Sequence, residues 1–182
     1  VFKTIADPFI GKYSLIKVCS GVVKSDDTLY NASSETEEKL SKLYVMRGNK
    51  LEEVSELHAG DIGAIGKVGC KTGDTLSTKA TPVMYGKTDI SKPYTYMAYK
   101  AKNKGDEDKI SQALSKIMDE DLTVKTVNDS ENRQSLLYGM GDQHLSVIVS
   151  TLAEKYKVDV ELVKPKVAFR ETIRKKADVE YK

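Results

Sequence analysis

His144 stands two residues after Asp142 in the run Tyr138-Gly139-Met140-Gly141-Asp142-Gln143-His144-Leu145, where polar chemistry is most concentrated. An imidazole beside a carboxylate can act as an acid–base pair or as a metal ligand. Either role needs a further partner. No Ser, Cys or second His stands at triad spacing, and residues two apart on a helix do not face each other. A hydrogen bond at a helix start is therefore the favoured role for His144, partner contact comes next, and catalysis last. His58, the other histidine, sits beside a Gly60 turn and has a weaker case. Gly139 and Gly141 let the chain turn tightly from strand to helix. They also expose amides able to grip a carboxylate or phosphate, although the turn needs no ligand. No zinc spacing, EF-hand, haem signature or nucleophile elbow occurs. No catalytic, cofactor-binding or metal-ligating residue is assigned.

Asp61-Ile62-Gly63-Ala64-Ile65-Gly66-Lys67-Val68 superficially resembles a phosphate loop. Asp61 stands where such a loop needs Gly, and Val68 offers no hydroxyl to magnesium. Asp7, Asp61 and Asp74 are too far apart in sequence to argue for a metal or an acid–base pair. Cys19 and Cys70 are the only cysteines, and their apolar strand-like context predicts two buried free thiols. That usage fits a cytosolic protein.

The elements that must carry these residues follow from the patterning. The front of the chain holds short β-prone runs punctuated by Gly, Asp and Asn: Tyr13 to Val18, Thr28 to Tyr30, Leu40 to Met46 and Ile62 to Val68. Such spacing predicts a small closed β-barrel. Glu35 to Lys39 reads as a hairpin tip, and Leu51 to Val54 as a helical turn or loop. Gly60-Asp61 and Thr72-Gly73-Asp74 are turn signals. Pro82, Gly86 and Pro93 mark a boundary. Beyond it come a strand from Tyr94 to Lys100 and a helix from about Glu107, with Asp106 as N-cap and a stripe of Ile110, Ala113, Leu114, Ile117 and Met118. Strands from Leu122 to Val127 and Arg133 to Tyr138 follow. A second helix has Leu145, Ile148, Val149, Leu152 and Ala153 on one face, and a last strand runs from Lys157 to Val163. That order, βαββαβ, predicts a ferredoxin-like sandwich with both helices on one side of a four-stranded sheet. Met140 and Leu145 are expected as core anchors.

The balance of 182 residues, 40% apolar and 31% charged, with a net charge of +2, is that of an ordinary globular chain. Nucleic-acid contact would need a local patch rather than overall basicity. Lys102, Lys104 and Lys109, near the first helix start, could meet phosphate or simply be solvated. No apolar run approaches the roughly 18 residues that span a bilayer. The chain opens at Val1 and closes on Arg174-Lys175-Lys176-Ala177-Asp178-Val179-Glu180-Tyr181-Lys182, which reads as a segment of a longer polypeptide.

A set of phrases, ordered along nearly the whole chain, carries a resemblance. In the front they are Val1-Phe2-Lys3, Asp7-Pro8-Phe9-Ile10-Gly11-Lys12, Val18-Cys19-Ser20-Gly21, Leu29-Tyr30-Asn31, Ala59-Gly60-Asp61-Ile62 and Thr72-Gly73-Asp74-Thr75-Leu76. In the back they are Lys109 to Leu114, Asp119-Glu120-Asp121, Gly139 to Leu145, Lys164 to Ala168 and Phe169 to Ile173. Together they resemble the second and third domains of the elongation factor G group of translational GTPases, including its paralogues.

The resemblance implies a β-barrel second domain at residues 1–88, a ferredoxin-like third domain at 93–168, and at 169–182 the start of the next domain or a tail. It implies a noncatalytic, cytoplasmic, monomeric piece of a ribosome-binding GTPase, without contact to membrane, that touches ribosomal RNA and relays domain rearrangement during translocation. The other partners it implies are the protein's own GTPase and C-terminal domains. No cofactor would sit in this piece, because GTP and Mg would belong to a preceding domain. Arg47 and Lys50 are candidate RNA contacts in the front half, and Lys102, Lys104 and Arg133 in the back half. Gly139, Gly141, Asp142 and His144 form a candidate interdomain turn. The chain departs from the family pattern at Met46-Arg47-Gly48-Asn49-Lys50, at Asp142-Gln143 and at Leu122. Those departures keep open a paralogue or a tetracycline ribosomal-protection protein. From the residues alone, a small-molecule enzyme using His144 and Asp142, and a standalone protein-interaction module, stay open as well.

Overall fold

A computed structural model of the chain describes residues 1–7, 11–48, 50–176 and 178–181. Pro8, Phe9, Ile10, Asn49, Ala177 and Lys182, which fall in phrases quoted above, lie outside the described residues.

The described residues of the front half hold ten strands: β1 (Lys3–Asp7), β2 (Gly11–Lys17), β3 (Val22–Lys24), β4 (Thr28–Asn31), β5 (Thr36–Lys39), β6 (Leu43–Arg47), β7 (Lys50–Val54), β8 (Glu56–His58), β9 (Ile62–Gly66) and β10 (Leu76–Ser77). They form a five-stranded sheet ordered β1-β2-β9-β6-β7, a three-stranded sheet β10-β4-β5 and a two-stranded ribbon β3-β8. The expected closed barrel is not there. Closure needs the last strand of a sheet to hydrogen-bond to the first, whereas here β1 pairs with β2, β7 pairs with β6, and the sheet stays open between β1 and β7. The free edge of β1 is covered another way. The Ala6 amide donates to a carboxylate oxygen of Glu120, from the other half of the chain, at 2.7 Å, so a side chain satisfies a backbone group that a closing strand would have taken.

The three sheets still share one core, built from Ile16, Val18, Leu40, Leu43, Leu57, Ile65, Val68 and Cys70. Two expected non-strand segments are strands. Residues 36–39 form β5, in register with β4, and residues 50–54 form β7, in register with β6. Their charged residues sit on exposed edge strands, where charge is compatible with pairing. Cys70 is buried, but Cys19 is exposed, contrary to expectation. It follows Val18, the last core residue of that run, and precedes the bend at Ser20. Both turn signals work as expected. Gly60 (φ 98°) and Gly73 (φ 92°) take left-handed conformations. Beside them, Asp61 accepts the His58 amide at 2.8 Å and Asp74 accepts the Lys71 amide at 2.9 Å.

The back half comprises β11 (Thr95–Ala101), α1 (Glu107–Glu120), β12 (Lys125–Asp129), β13 (Gln134–Gly139), α2 (Asp142–Tyr156) and β14 (Val160–Val163). This is the βαββαβ order, and the four strands make an antiparallel sheet ordered β12-β13-β11-β14. Both helices cover one face of it. Ile110, Ala113, Leu114 and Ile117 of α1 join Leu145, Ile148 and Leu152 of α2 in one core with Leu137 and Val160. Asp106 stands at the N-cap of α1 but makes no capping hydrogen bond to the helix backbone. Its carboxylate instead pairs with Lys109 at 2.9 Å.

Leu137 sits at the centre of that core with no exposed surface. Leu137→Ala should destabilise the back half by about 3 kcal/mol. Amide hydrogen exchange checks this, with protection falling in β11 to β14 while the slowest amides of β2 and β9 keep theirs.

Candidate functional site

The acidic trio Asp119-Glu120-Asp121 closes α1, and the carboxylates go in three directions. Asp119 pairs with Lys12 of β2 at 3.1 Å. Glu120 accepts the Ala6 amide of β1 at 2.7 Å and, on the same oxygen, the Lys155 ammonium of α2 at 2.9 Å. Asp121 accepts the Thr123 amide at 2.8 Å and hydroxyl at 2.6 Å on one oxygen, and meets His144 Nε2 at 3.1 Å on the other. The trio therefore joins the two halves of the chain and ties α1 to α2.

His144 uses both ring nitrogens. The Met140 amide donates to Nδ1 at 3.1 Å. The proton of the neutral ring is then on Nε2 and is donated to Asp121. Both nitrogens are thus engaged within the protein, and the carboxylate that meets the ring is Asp121 rather than Asp142. Asp142 is the first residue of α2 and exposed, and it does not pair with His144. The helix-start role is the one observed.

The two glycines of this turn act differently from expectation. Gly141 is fully extended (φ 178°), a conformation open to any residue. Gly139 is needed for space: a Cβ there would lie 2.9 Å from Leu145 Cδ2 and 3.2 Å from His144 Nδ1. Leu145 is buried as expected, whereas Met140 is only half-buried.

Burial pushes the Asp121 carboxyl up. The Thr123 hydroxyl and amide, with His144, outweigh that and hold it below the ordinary carboxylate value. Burial likewise raises the Asp74 carboxyl, and the Lys71 amide and Asn31 side chain outweigh it. A cleft of about 620 Å³ opens beside the trio, lined by Phe2, Lys3, Ile5, Thr72 and Ile90 on one side and by residues 120–123 on the other. In the sequence the trio stands out only as one of the phrases that carry the resemblance. The signal left unused was three acids where the helix dipole disfavours acids.

The candidate cations fall into two groups. Arg47 and Lys50 face each other across the β6–β7 hairpin. Both are exposed, and Arg47 is held by Glu52 at 3.0 Å. Lys102 and Lys104 lie exposed in the β11–α1 loop, and Arg133 lies exposed in the β12–β13 turn with φ 49°. Because Tyr99 pairs with Ser135, that loop and that turn share one end of the back sheet. The first group and the second are on different halves of the chain. Among the described residues no group of three or more His, Cys, Asp or Glu could hold a metal ion, and no helix is long and apolar enough to cross a membrane.

His144→Ala leaves the Met140 amide without its acceptor and Asp121 without one of its donors, and should cost about 1–2 kcal/mol of stability, read from the urea midpoint. Asp121 is a depressed carboxyl, so its contribution is present above the unfolded value near 4 and is lost as pH falls through the lower folded value. Asp121→Asn should therefore lower the midpoint at pH 7 and flatten its decline below pH 4 relative to the unaltered chain.

Comparison with known proteins gives this geometry a family. The model of elongation factor G domain 2 matches residues 1–79, and that of elongation factor G domain III matches residues 90–164. A crystal structure of a protein from Thermus thermophilus is 30% identical, superposes with a TM-score of 0.79, and is matched over 91% of this chain and 25% of its own. The chain thus spans about a quarter of that protein's length. Carrying both domains in order, this chain belongs to the elongation factor G family.

Proposed function

We propose that this chain is the noncatalytic, ribosome-binding portion of a translational GTPase, contacting ribosomal RNA and relaying GTPase-linked rearrangement during translocation. The observation that carries this reading is the pair of family matches, in order, over residues 1–79 and 90–164. The working units are residues 1–88 and 93–168, with 169–182 the start of the next domain or a tail. GTP and Mg belong to a preceding domain of the complete protein, which acts in the cytoplasm as a monomer. The relay role draws support from the acidic trio. Asp119 and Glu120 of the back half hold β1 and β2 of the front half, so a displacement of one half is felt by the other.

On this reading Arg47 and Lys50 meet RNA phosphate from the front half, and Lys102, Lys104 and Arg133 from the back half. Binding of the chain to purified small ribosomal subunits should weaken as salt rises. Arg47→Glu with Lys50→Glu should lower the slope of log affinity against log salt by about 2, one unit for each phosphate no longer neutralised. An unchanged slope would remove that hairpin from the interface. Failure of the chain, and of the complete protein, to bind subunits at low salt would remove the reading itself.

A further inference from the structure

Among the described residues no further helix or sheet packs on the face of the back sheet opposite the helices, and that face is built unevenly. Antiparallel sheets commonly leave one face to water, and that face is normally polar. Here Tyr96 of β11 and Tyr138 of β13, directly paired in the ladder, stack with ring centroids 5.0 Å apart and planes 26° apart. Tyr96 is 44% exposed. Two residues along β11, about 7 Å away, Ala98 lines a cleft of about 660 Å³. Four cations line the same cleft: Lys100, Arg133, Lys164 and Lys166.

The cleft is a product of the fold. The Gln134 side chain donates to the Lys166 carbonyl at 2.9 Å and accepts the Lys166 amide at 2.8 Å. That pair of bonds folds the segment after β14 back beside the hairpin that carries Arg133. The acids on this side are few and mostly engaged. Asp129 accepts from Asn132 at 2.7 Å and Gln134 at 2.9 Å, and Glu131 meets Arg170 at 3.5 Å. Glu161 stands opposite Lys100 in the ladder. None of the four cations is in an ion pair with a described carboxylate. The charge left unmatched is positive, and an aromatic platform adjoins it.

We propose that this face binds single-stranded RNA, with phosphates in the cationic cleft and an unpaired base on Tyr96. Cationic grooves that track the backbone, beside aromatic side chains on which bases stack, are the general means of holding single strands. An acidic peptide could match the charge of the cleft, but a single strand of nucleic acid matches both the cleft and the aromatic platform beside it. The inference rests on the ribosome-binding reading for the source of the RNA, but it concerns a different surface from the β6–β7 hairpin.

The test is fluorescence anisotropy of the 182-residue chain with a labelled 12-nucleotide single-stranded RNA of mixed sequence, over a salt series. Tyr96→Ala should weaken binding about tenfold, and Tyr96→Phe should restore it. Lys164→Glu, at an exposed position outside the strands, should reduce the salt slope by about 0.7, the value for one phosphate contact on a single strand. Duplex RNA of equal length should bind more weakly than the single strand. Absence of binding, or binding indifferent to both Tyr96→Ala and Lys164→Glu, overturns the proposal. If these variants still bind small subunits normally while the Arg47→Glu, Lys50→Glu variant does not, the ribosome reading stands and this surface falls. A fragment of protein that captures the chain through Tyr96 with no RNA affinity would overturn it in favour of a protein contact.

Discussion

Three consecutive carboxylates at the C-terminal end of α1 set the terms for the rest of the molecule. A helix C-terminus carries the negative end of the dipole, and α1 has no basic residue in its last turn to offset it. Asp119, Glu120 and Asp121 must therefore find donors elsewhere, and each finds them on a different element: β2, β1 with α2, and the Thr123 turn with α2. Burial pushes the Lys155 ammonium down, and the Glu120 carboxylate more than reverses it. What looks like local electrostatic strain at a helix end is resolved only by tertiary structure. Two of the three, Asp119 and Glu120, find donors on the front half.

The same contact lies on the open edge of the front sheet. A strand edge exposes a row of unpaired amides and carbonyls. Barrels remove the edge by closing it. Here the Ala6 amide at that edge is already satisfied by Glu120, so closure by β7 would have to displace a charge-assisted hydrogen bond. The front sheets are held instead by their common core, in which Leu40, Leu43 and Ile65 are fully buried. The expectation of a barrel came from strand count and turn spacing. Neither feature reports which edge meets which.

The parts of the structure that sequence made legible are those governed by period and local turn chemistry. The stripes of α1 and α2 are visible because Ile110, Leu114 and Ile117, and Leu145, Ile148 and Leu152, recur at 3.6-residue spacing. Asp61 and Asp74 are visible because an Asp beside Gly bonds its own neighbours. Charged β5 and β7 were missed because their register is set by partners, not by an internal hydrophobic pattern. Phrases such as Gly139 to Leu145 marked the family but misassigned the reason for the glycines. Gly139 is small because Leu145 and His144 press on it, and a close approach from a side chain that follows in sequence leaves no periodic trace. His144 was legible as a helix-start residue, but its tie to Asp121, 23 residues away, was not.

The connection between the two halves fits the proposed relay because it is strong at one point and weaker beside it. Lys12 and Asp119 are partly exposed, and such a pair contributes little on its own. The Ala6 amide on Glu120 is shielded and charge-assisted, and it contributes more. Among the described residues beside it, Phe2, Ile90 and Leu122, each more than two-fifths exposed, line an open cleft. Domains joined by small polar contacts move relative to one another unless a large hydrophobic interface prevents it. In the proposed relay, the Ala6–Glu120 hydrogen bond, with the Lys12–Asp119 pair beside it, would serve as the pivot about which the angle between halves changes. The candidate cations lie away from that pivot, on hairpins and loops whose exposed side chains the clasp does not use. Movement about Glu120 would then reposition the cationic surface of one half against the other without disturbing either core.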